Sequence, residues 1–175
     1  NVYGAIPVSY LNDFGSHVAK TLWHWKKNPA YANQTEPKGY LLGKCYAEAS
    51  QKLKERPEYQ TEVVKIMQDI ESREGENYQL WKETRNWSLE YYAEIYKDLG
   101  IRFSKYFYES EVIDEGLKMV NSLLEKGILK KSEGAIIADL EKYNLGILPI
   151  IRSDGTALYP VADLALAVNK FSLFD

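Results

Sequence analysis

The stretch Ile151-Arg-Ser-Asp-Gly-Thr-Ala-Leu-Tyr-Pro-Val-Ala-Asp-Leu-Ala-Leu-Ala167 changes character halfway along, from turn-rich and β-branched to Ala- and Leu-rich. Asp154-Gly155 lies between two β-rich segments, which is the signal of a tight hairpin: a type I′ turn needs positive φ, and glycine adopts it without a Cβ penalty. Pro160 then opens a helix, a position where its missing N–H leaves no hydrogen bond unmade. Tyr159 and Asp163 are four residues apart at that helix start, so one turn brings them to the same face. Each also has an ordinary structural reading. Asp163 is favoured near a helix N-terminus by the macrodipole, and Tyr159 suits the end of a strand.

Upstream of this stretch the apolar period is two. Ile128 to Lys131, Ala135 to Leu140, Ile147 to Arg152 and Thr156 to Tyr159 are short strand candidates, separated by Ser132-Glu133-Gly134, by Tyr143-Asn-Leu-Gly146 and by Ser153-Asp154-Gly155. Further back the period becomes helical. Val112, Met119, Val120, Leu123 and Leu124 mark a helix closed by Gly127, and Ile101 to Tyr108 reads as a strand. Between Asn77 and Leu99, the residues Leu80, Thr84, Trp87, Tyr91, Ile95 and Leu99 form a stripe at intervals of three and four, widened by Trp81, Tyr92 and Tyr96, with Gly100 as its left-handed cap. Earlier helices are predicted from Ser16, as N-cap, to Trp25 (Val18, Leu22 and Trp25 on one face), from Tyr40 to Glu55 (Leu41, Leu42, Tyr46, Ala49, Leu53), and from Glu58 to Ser72 (Val63, Ile66, Met67, Ile70). Ala5 to Leu11 reads as an opening strand followed by a turn at Asn12-Asp13-Phe14-Gly15. The expected layout is a helical segment at about 16–127, a β-hairpin region at about 128–159 and a final helix at about 160–171, within one domain spanning 1–175. Strand, several helices, small β-region and helix, in that order, suit an α/β or α+β fold with a helical insertion.

The chain has 22 basic and 25 acidic side chains, a net charge of −3, in 175 residues. That length buries a real core without disulfide or metal staples, and the single cysteine, Cys45, has no partner for an internal bridge. A lone thiol fits a reducing, cytoplasmic setting. The first 60 residues carry a net charge of +3, but no segment is a polyanion-binding tail. No apolar run approaches the roughly 18 residues of a bilayer span, so no membrane partner is expected. There is no glycine-rich phosphate loop, CxxC pair or Gly-x-Ser-x-Gly elbow. His17 and His24, seven apart, have no clear third ligand and make a poor zinc site, and Cys45 in a helical pattern reads as a small buried hydrophobe. No metal site is therefore predicted.

The opening stretch resembles the (R/K)SDG run followed by Tyr-x-x-x-Asp-(Leu/Ile)-Ala in arginyl-tRNA synthetases, a class I aminoacyl-tRNA synthetase family. Two further landmarks fall in order: Asn12-Asp13-Phe14-Gly15 resembles the family's Gly/Asn-Asp-aromatic/Thr-Gly segment, and Trp87 through Tyr108-Glu109-Ser110 resembles its helix, strand and Gly-Glu-Ser run. Ser132-Glu133-Gly134-Ala135 and Asp139-Leu140 are also at home there, so the resemblance covers essentially the whole chain. It implies an α/β fold: part of a Rossmann-type catalytic domain with a mainly helical insertion and a small C-terminal β-region. It implies arginine and tRNA as partners of the parent enzyme, and ATP and Mg2+ as what that enzyme uses to activate arginine. By resemblance, Tyr159 and Asp163 recognise the arginine side chain and Glu109 assists. The chemistry agrees, since a planar guanidinium with five donors is matched by carboxylates and an aromatic wall.

Departures are visible. Ala162 stands where the family usually has arginine, Pro160 where it has an ordinary residue, Tyr108 where it has glycine, and His17 where it often has glutamine. Neither the HIGH signature nor a KMSKS-like loop, which hold ATP in the family, occurs among these residues; they are expected upstream of Asn1 and downstream of Asp175. The segment is accordingly expected to contain no catalytic residue, to bind neither ATP nor Mg2+ by itself, and to be inactive alone. The alternative function is a non-catalytic, synthetase-like binding or regulatory module.

Overall fold

The computed structural model describes residues 4–174, and its elements fall into two compact units. The first, helical unit holds residues up to Val8 and then Asn12–Lys105. It contains α1 (Ser16–Lys27), α2 (Lys38–Glu55), α3 (Gln60–Glu71) and α4 (Gly75–Asp98), joined by short 3-10 turns at Pro29–Asn33 and Pro57–Tyr59. Helix α1 packs on α2 and α3, and α4 closes the bundle against α2 and α3. The interior is built from Leu22, Trp23, Leu41, Cys45, Val63 and Ile70.

Two helical faces differ from the periodicity reading. On α1 the buried side is Ala19, Leu22, Trp23 and His24, with Val18 and Trp25 only half-buried. On α2 Cys45 takes the interior place expected of Tyr46, whose ring lies 41% exposed with the Lys20 Nζ 4.0 Å from its centre. At Tyr46 the reason is that an aromatic with a polar rim is stable at the edge of a bundle, where a cation covers its face and water reaches its hydroxyl; Trp25 instead stacks on the Tyr31 ring. Helix α4 has the predicted length, but only Trp81 and Thr84 are buried; Tyr92 and Leu99 are exposed. Gly100 takes φ +66° and ends α4, its N–H donating to the Lys97 carbonyl at 3.1 Å, as a left-handed cap requires. Ser16 does not cap α1 by its side chain; Gly15 stands at the N-cap and Ser16 is the first helical residue.

The second unit holds Ser9–Leu11 and Tyr106 onward. Strands β1 (Val8–Leu11) and β2 (Lys105–Tyr108) form a two-stranded sheet, and β2 runs directly into α5 (Glu109–Glu125). An antiparallel sheet follows in the order β3 (Lys130–Ser132), β4 (Ala135–Asp139), β5 (Ile147–Ile151), and α6 (Tyr159–Phe174) completes the unit. Val120, Leu129, Ile150 and Val161 form its core, with Ile136 and Ala138 from β4 packed on it.

The turn chemistry is exchanged relative to expectation. The two-residue hairpin with positive φ at both central residues is Glu133-Gly134 (φ +50° and +82°), with Ser132 paired to Ala135. At 152–156 only Gly155 has positive φ. The Gly155 N–H donates to the Arg152 carbonyl, and the Arg152 N–H to the Thr156 carbonyl, both at 2.9 Å. This is a three-residue connection ending in a left-handed glycine. The strand expected at Thr156–Tyr159 reduces to a single bridge between Ile151 and Ala157, because Tyr159 already belongs to α6. No described helix is long and apolar enough to cross a membrane.

Candidate functional site

Helix α6 begins where the last hairpin runs out. The Leu158 N–H donates to the Ile150 carbonyl and the Val161 N–H to the Leu158 carbonyl, each at 3.0 Å, which hands the chain from sheet to helix. Pro160, second in the helix, has no N–H to satisfy there. The first turns of α6 are two-sided. Val161, Ala162, Ala165 and Leu166 are buried, whereas Tyr159, at 56% exposure, and Asp163 both reach solvent. Four residues apart, Tyr159 and Asp163 share one solvent-facing side of the helix.

Glu109 is the first residue of α5, immediately after β2. It heads a stripe continued by Val112, Gly116 and Val120, all buried, and Val112 packs on Ala162 and Ala165 of α6. One Glu109 carboxylate oxygen is buried. The carboxylate at the start of α5 and the pair at the start of α6 thus belong to two helices in direct contact. Val112 against Ala165 and Gly116 against Val161 run the two helices antiparallel, so Glu109 stands toward the far end of α6 from Tyr159. Each group by itself suits a planar cation, the carboxylates as acceptors with bidentate capacity and the ring as an aromatic face.

The other singled-out residues have structural partners. Asp154 Oδ1 accepts from the Thr156 N–H at 2.9 Å, and that hydrogen bond holds its carboxyl below the usual carboxylate range. Asp13, in the Asn12–Gly15 turn, pairs with the Arg85 Nε at 2.5 Å, and the Trp81 Nε1 donates to the Asp13 carbonyl at 2.7 Å, so α4 anchors that turn from two directions. The Cys45 thiol is fully buried and pushed up to about 11 by that burial. His17 is exposed near the Tyr46 ring, whereas His24 is fully buried with its Nε2 2.9 Å from the Glu48 carboxylate. Among the described residues, no three His, Cys, Asp or Glu side chains converge as a metal site.

Sequence reasoning missed a polar group inside the helical unit. Glu48 meets both Tyr31 and His24, and their hydrogen bonds hold its carboxyl below the ordinary value, Tyr31 contributing most. Burial, and then the Glu48 contact, push the Tyr31 hydroxyl up. No local pattern announces this cluster, since His24 and Glu48 are separated by 24 residues and lie on different helices.

Comparison with known proteins places the chain. The arginine–tRNA ligase of Bdellovibrio bacteriovorus is 36% identical over 169 residues, covering 93% of this chain and 29% of that protein. The arginine–tRNA ligase of Pediococcus pentosaceus is 32% identical over 178 residues, covering 100% of this chain and 31% of that protein. The chain therefore spans less than a third of the length of these relatives. The crystal structure of arginyl-tRNA synthetase from Plasmodium falciparum superposes with a TM-score of 0.70 over 94% of this chain and 27% of that one, at 18% identity, a likeness of fold. The fold is that of a class I synthetase catalytic domain, α/β with a large helical portion and small sheets. A chance match of the C-terminal run on an unrelated helical domain is excluded by the breadth of these alignments. Because the family description "tRNA synthetases class I (R), catalytic domain" matches residues 2–173, the chain belongs to the arginyl-tRNA synthetase family.

Proposed function

We propose that this chain serves the ligation of arginine to tRNA by supplying the groups that recognise the arginine side chain: Tyr159, Asp163 and Glu109. In this reading the parent protein, in the cytoplasm, activates arginine with ATP and Mg2+ and transfers it to its tRNA. The observation that carries the reading is the presentation of Tyr159 and Asp163 on one solvent-facing side of α6, in the helix pair that also bears Glu109. The guanidinium cannot be deprotonated, so its positive charge persists at every working pH and a carboxylate is the matching acceptor. Asp163 would accept from the fork of guanidinium N–H groups, Glu109 would add a second negative charge, and the Tyr159 ring would stack on the guanidinium plane. No Mg2+ ligand is assigned here, because the described residues offer no convergent set of donors.

The test is calorimetric titration of arginine against lysine onto the complete polypeptide. A hydrogen bond to a charged group is worth roughly 1.5–3 kcal/mol, so Asp163→Asn is expected to weaken arginine binding by about tenfold to a hundredfold. Unchanged affinity in the folded variant removes the reading. Ala162, buried beside Val112 where the family has arginine, favours a second reading: a synthetase-like module that binds arginine without ligating it. Arginine-dependent pyrophosphate exchange by the complete polypeptide separates the two, since only the ligase exchanges.

A further inference from the structure

We infer that Gly116 is a positioning residue for the arginine-recognising end of α6, seating the Val161 carbonyl so that Tyr159 and Asp163 stand where the ligand needs them. An ideal Cβ at Gly116 would overlap the Val161 carbonyl oxygen, and would lie 2.8 Å from the carbonyl carbon and 3.1 Å from Cγ1. The obstruction is mainly backbone, so no rotamer change relieves it. Glycine inside a helix costs about 0.5–1 kcal/mol relative to alanine, so α5 itself has no use for it there. Its justification is the contact.

Val161 lies between Tyr159 and Asp163 in sequence and is fully buried. Any displacement that makes room at Gly116 is therefore passed to both neighbours through the rigid first turns of α6, because close-packed interiors transmit strain. Gly116 is also seven residues, two helical turns, after Glu109 on the same face of α5. One contact thus sets the position of the α6 pair relative to the α5 carboxylate. Elsewhere in the molecule, Gly39 of α2 is comparably tight: its Cβ would lie 2.8 Å from the Trp87 carbonyl oxygen and would run into Tyr91. Gly39 lies in the helical unit and has no such neighbours, which makes it the matched control.

The inference rests on the proposed role of Tyr159, Asp163 and Glu109, and four proteins separate the two: the complete polypeptide as wild type, Gly116→Ala, Asp163→Asn and Gly39→Ala. Arginine Kd is measured by calorimetry, with far-UV circular dichroism and melting as controls for folding. Making room for a methyl group requires a shift on the order of an ångström, so Gly116→Ala is expected to raise the arginine Kd roughly tenfold or more while remaining folded. Gly39→Ala is expected to lower the melting temperature and leave Kd at the wild-type value. If Asp163→Asn loses affinity and folded Gly116→Ala does not, the positioning role is overturned and the recognition reading stands. If Asp163→Asn binds like wild type, that reading falls and the inference with it. Equal weakening by Gly39→Ala also overturns the inference, since a general loss of packing would then account for the effect. Should Gly116→Ala not accumulate as folded protein, Ala165→Ser, which adds one oxygen at the same helix contact, carries the test with the same expected direction and the same overturning result.

Discussion

In the helical unit, Leu41 is fully buried beside Tyr31 and Cys45, Trp23 reaches the Glu62 carboxylate through its Nε1 at 2.8 Å, and Trp25 stacks on Tyr31 at 5.8 Å between ring centres. Long side chains fill much of the space between these helices, although α2 meets α4 closely at Gly39. The contact of α5 with α6 includes Gly116, Ala162 and Ala165 beside Val112, Val120 and Val161, and the two backbones approach until no methyl group fits at Gly116. A core filled by large side chains is sensitive to truncation, which opens a cavity, and tolerates small displacements because its rings re-pack. A contact made of small residues is sensitive to enlargement, and it locates one helix on another within a narrow margin. The residues proposed to hold arginine are carried by the two helices that this second kind of contact joins, where precise placement is useful.

That contrast is open to direct measurement, because all four tryptophans, at 23, 25, 81 and 87, lie in the helical unit. Tryptophan fluorescence therefore follows the unfolding of that unit, and circular dichroism follows both. The largest effect is expected for Leu41→Ala, a loss of about 3–4 kcal/mol in the fluorescence-detected urea transition, from lost burial plus the cavity left behind. A loss under about 1 kcal/mol would mean that the bundle collapses into the space and is not held by long side chains. Next comes Ala162→Val, which enlarges the α5–α6 contact and is expected to cost about 1–3 kcal/mol in the circular dichroism transition. A neutral result breaks the comparison, since it would mean that the small-residue contact has slack.

The smallest effect is acid sensitivity at Glu48. Hydrogen bonds from Tyr31 and His24 depress its folded-state value, so its contribution is fully present above the ordinary 4.5 of a glutamate and is lost as pH falls through the folded value. The side chain is 54% exposed, and solvent screening keeps the contribution small. Between about pH 6 and pH 3, the fluorescence-detected stability of wild type should fall more than that of Glu48→Gln. Parallel curves would assign the acid response to other groups.

Element types were largely readable from residue spacing. The helices over Ser16–Lys27, Lys38–Glu55, Gln60–Glu71 and Gly75–Asp98, and the strands at Lys130–Ser132, Ala135–Asp139 and Ile147–Ile151, all follow from periodicity and turn residues. Which residues of a face go inside was less readable. Spacing treats Tyr46, Tyr92 and Leu99 as equals of Leu41, although the first three are exposed, because periodicity records that one side is apolar without recording what lies opposite. Turn types were misread for a related reason. Asp154-Gly155 and Glu133-Gly134 are both acidic residues before glycine, and the strand register on either side determines which becomes the two-residue hairpin.

The sequence alone determined that Tyr159 and Asp163 share a helical face, that Glu109 opens another helix, and that the run from Arg152 to Ala167 belongs to the arginyl-tRNA synthetase pattern. These are properties of neighbours within about one or two helical turns, where covalent geometry sets the spacing. Only the tertiary structure decided that α5 and α6 meet at Gly116 and Val161, and that His24, Tyr31 and Glu48 converge. Those contacts join residues far apart in the chain, and they depend on whether volumes fit and polar groups find partners once the helices are assembled, a condition that local spacing does not encode.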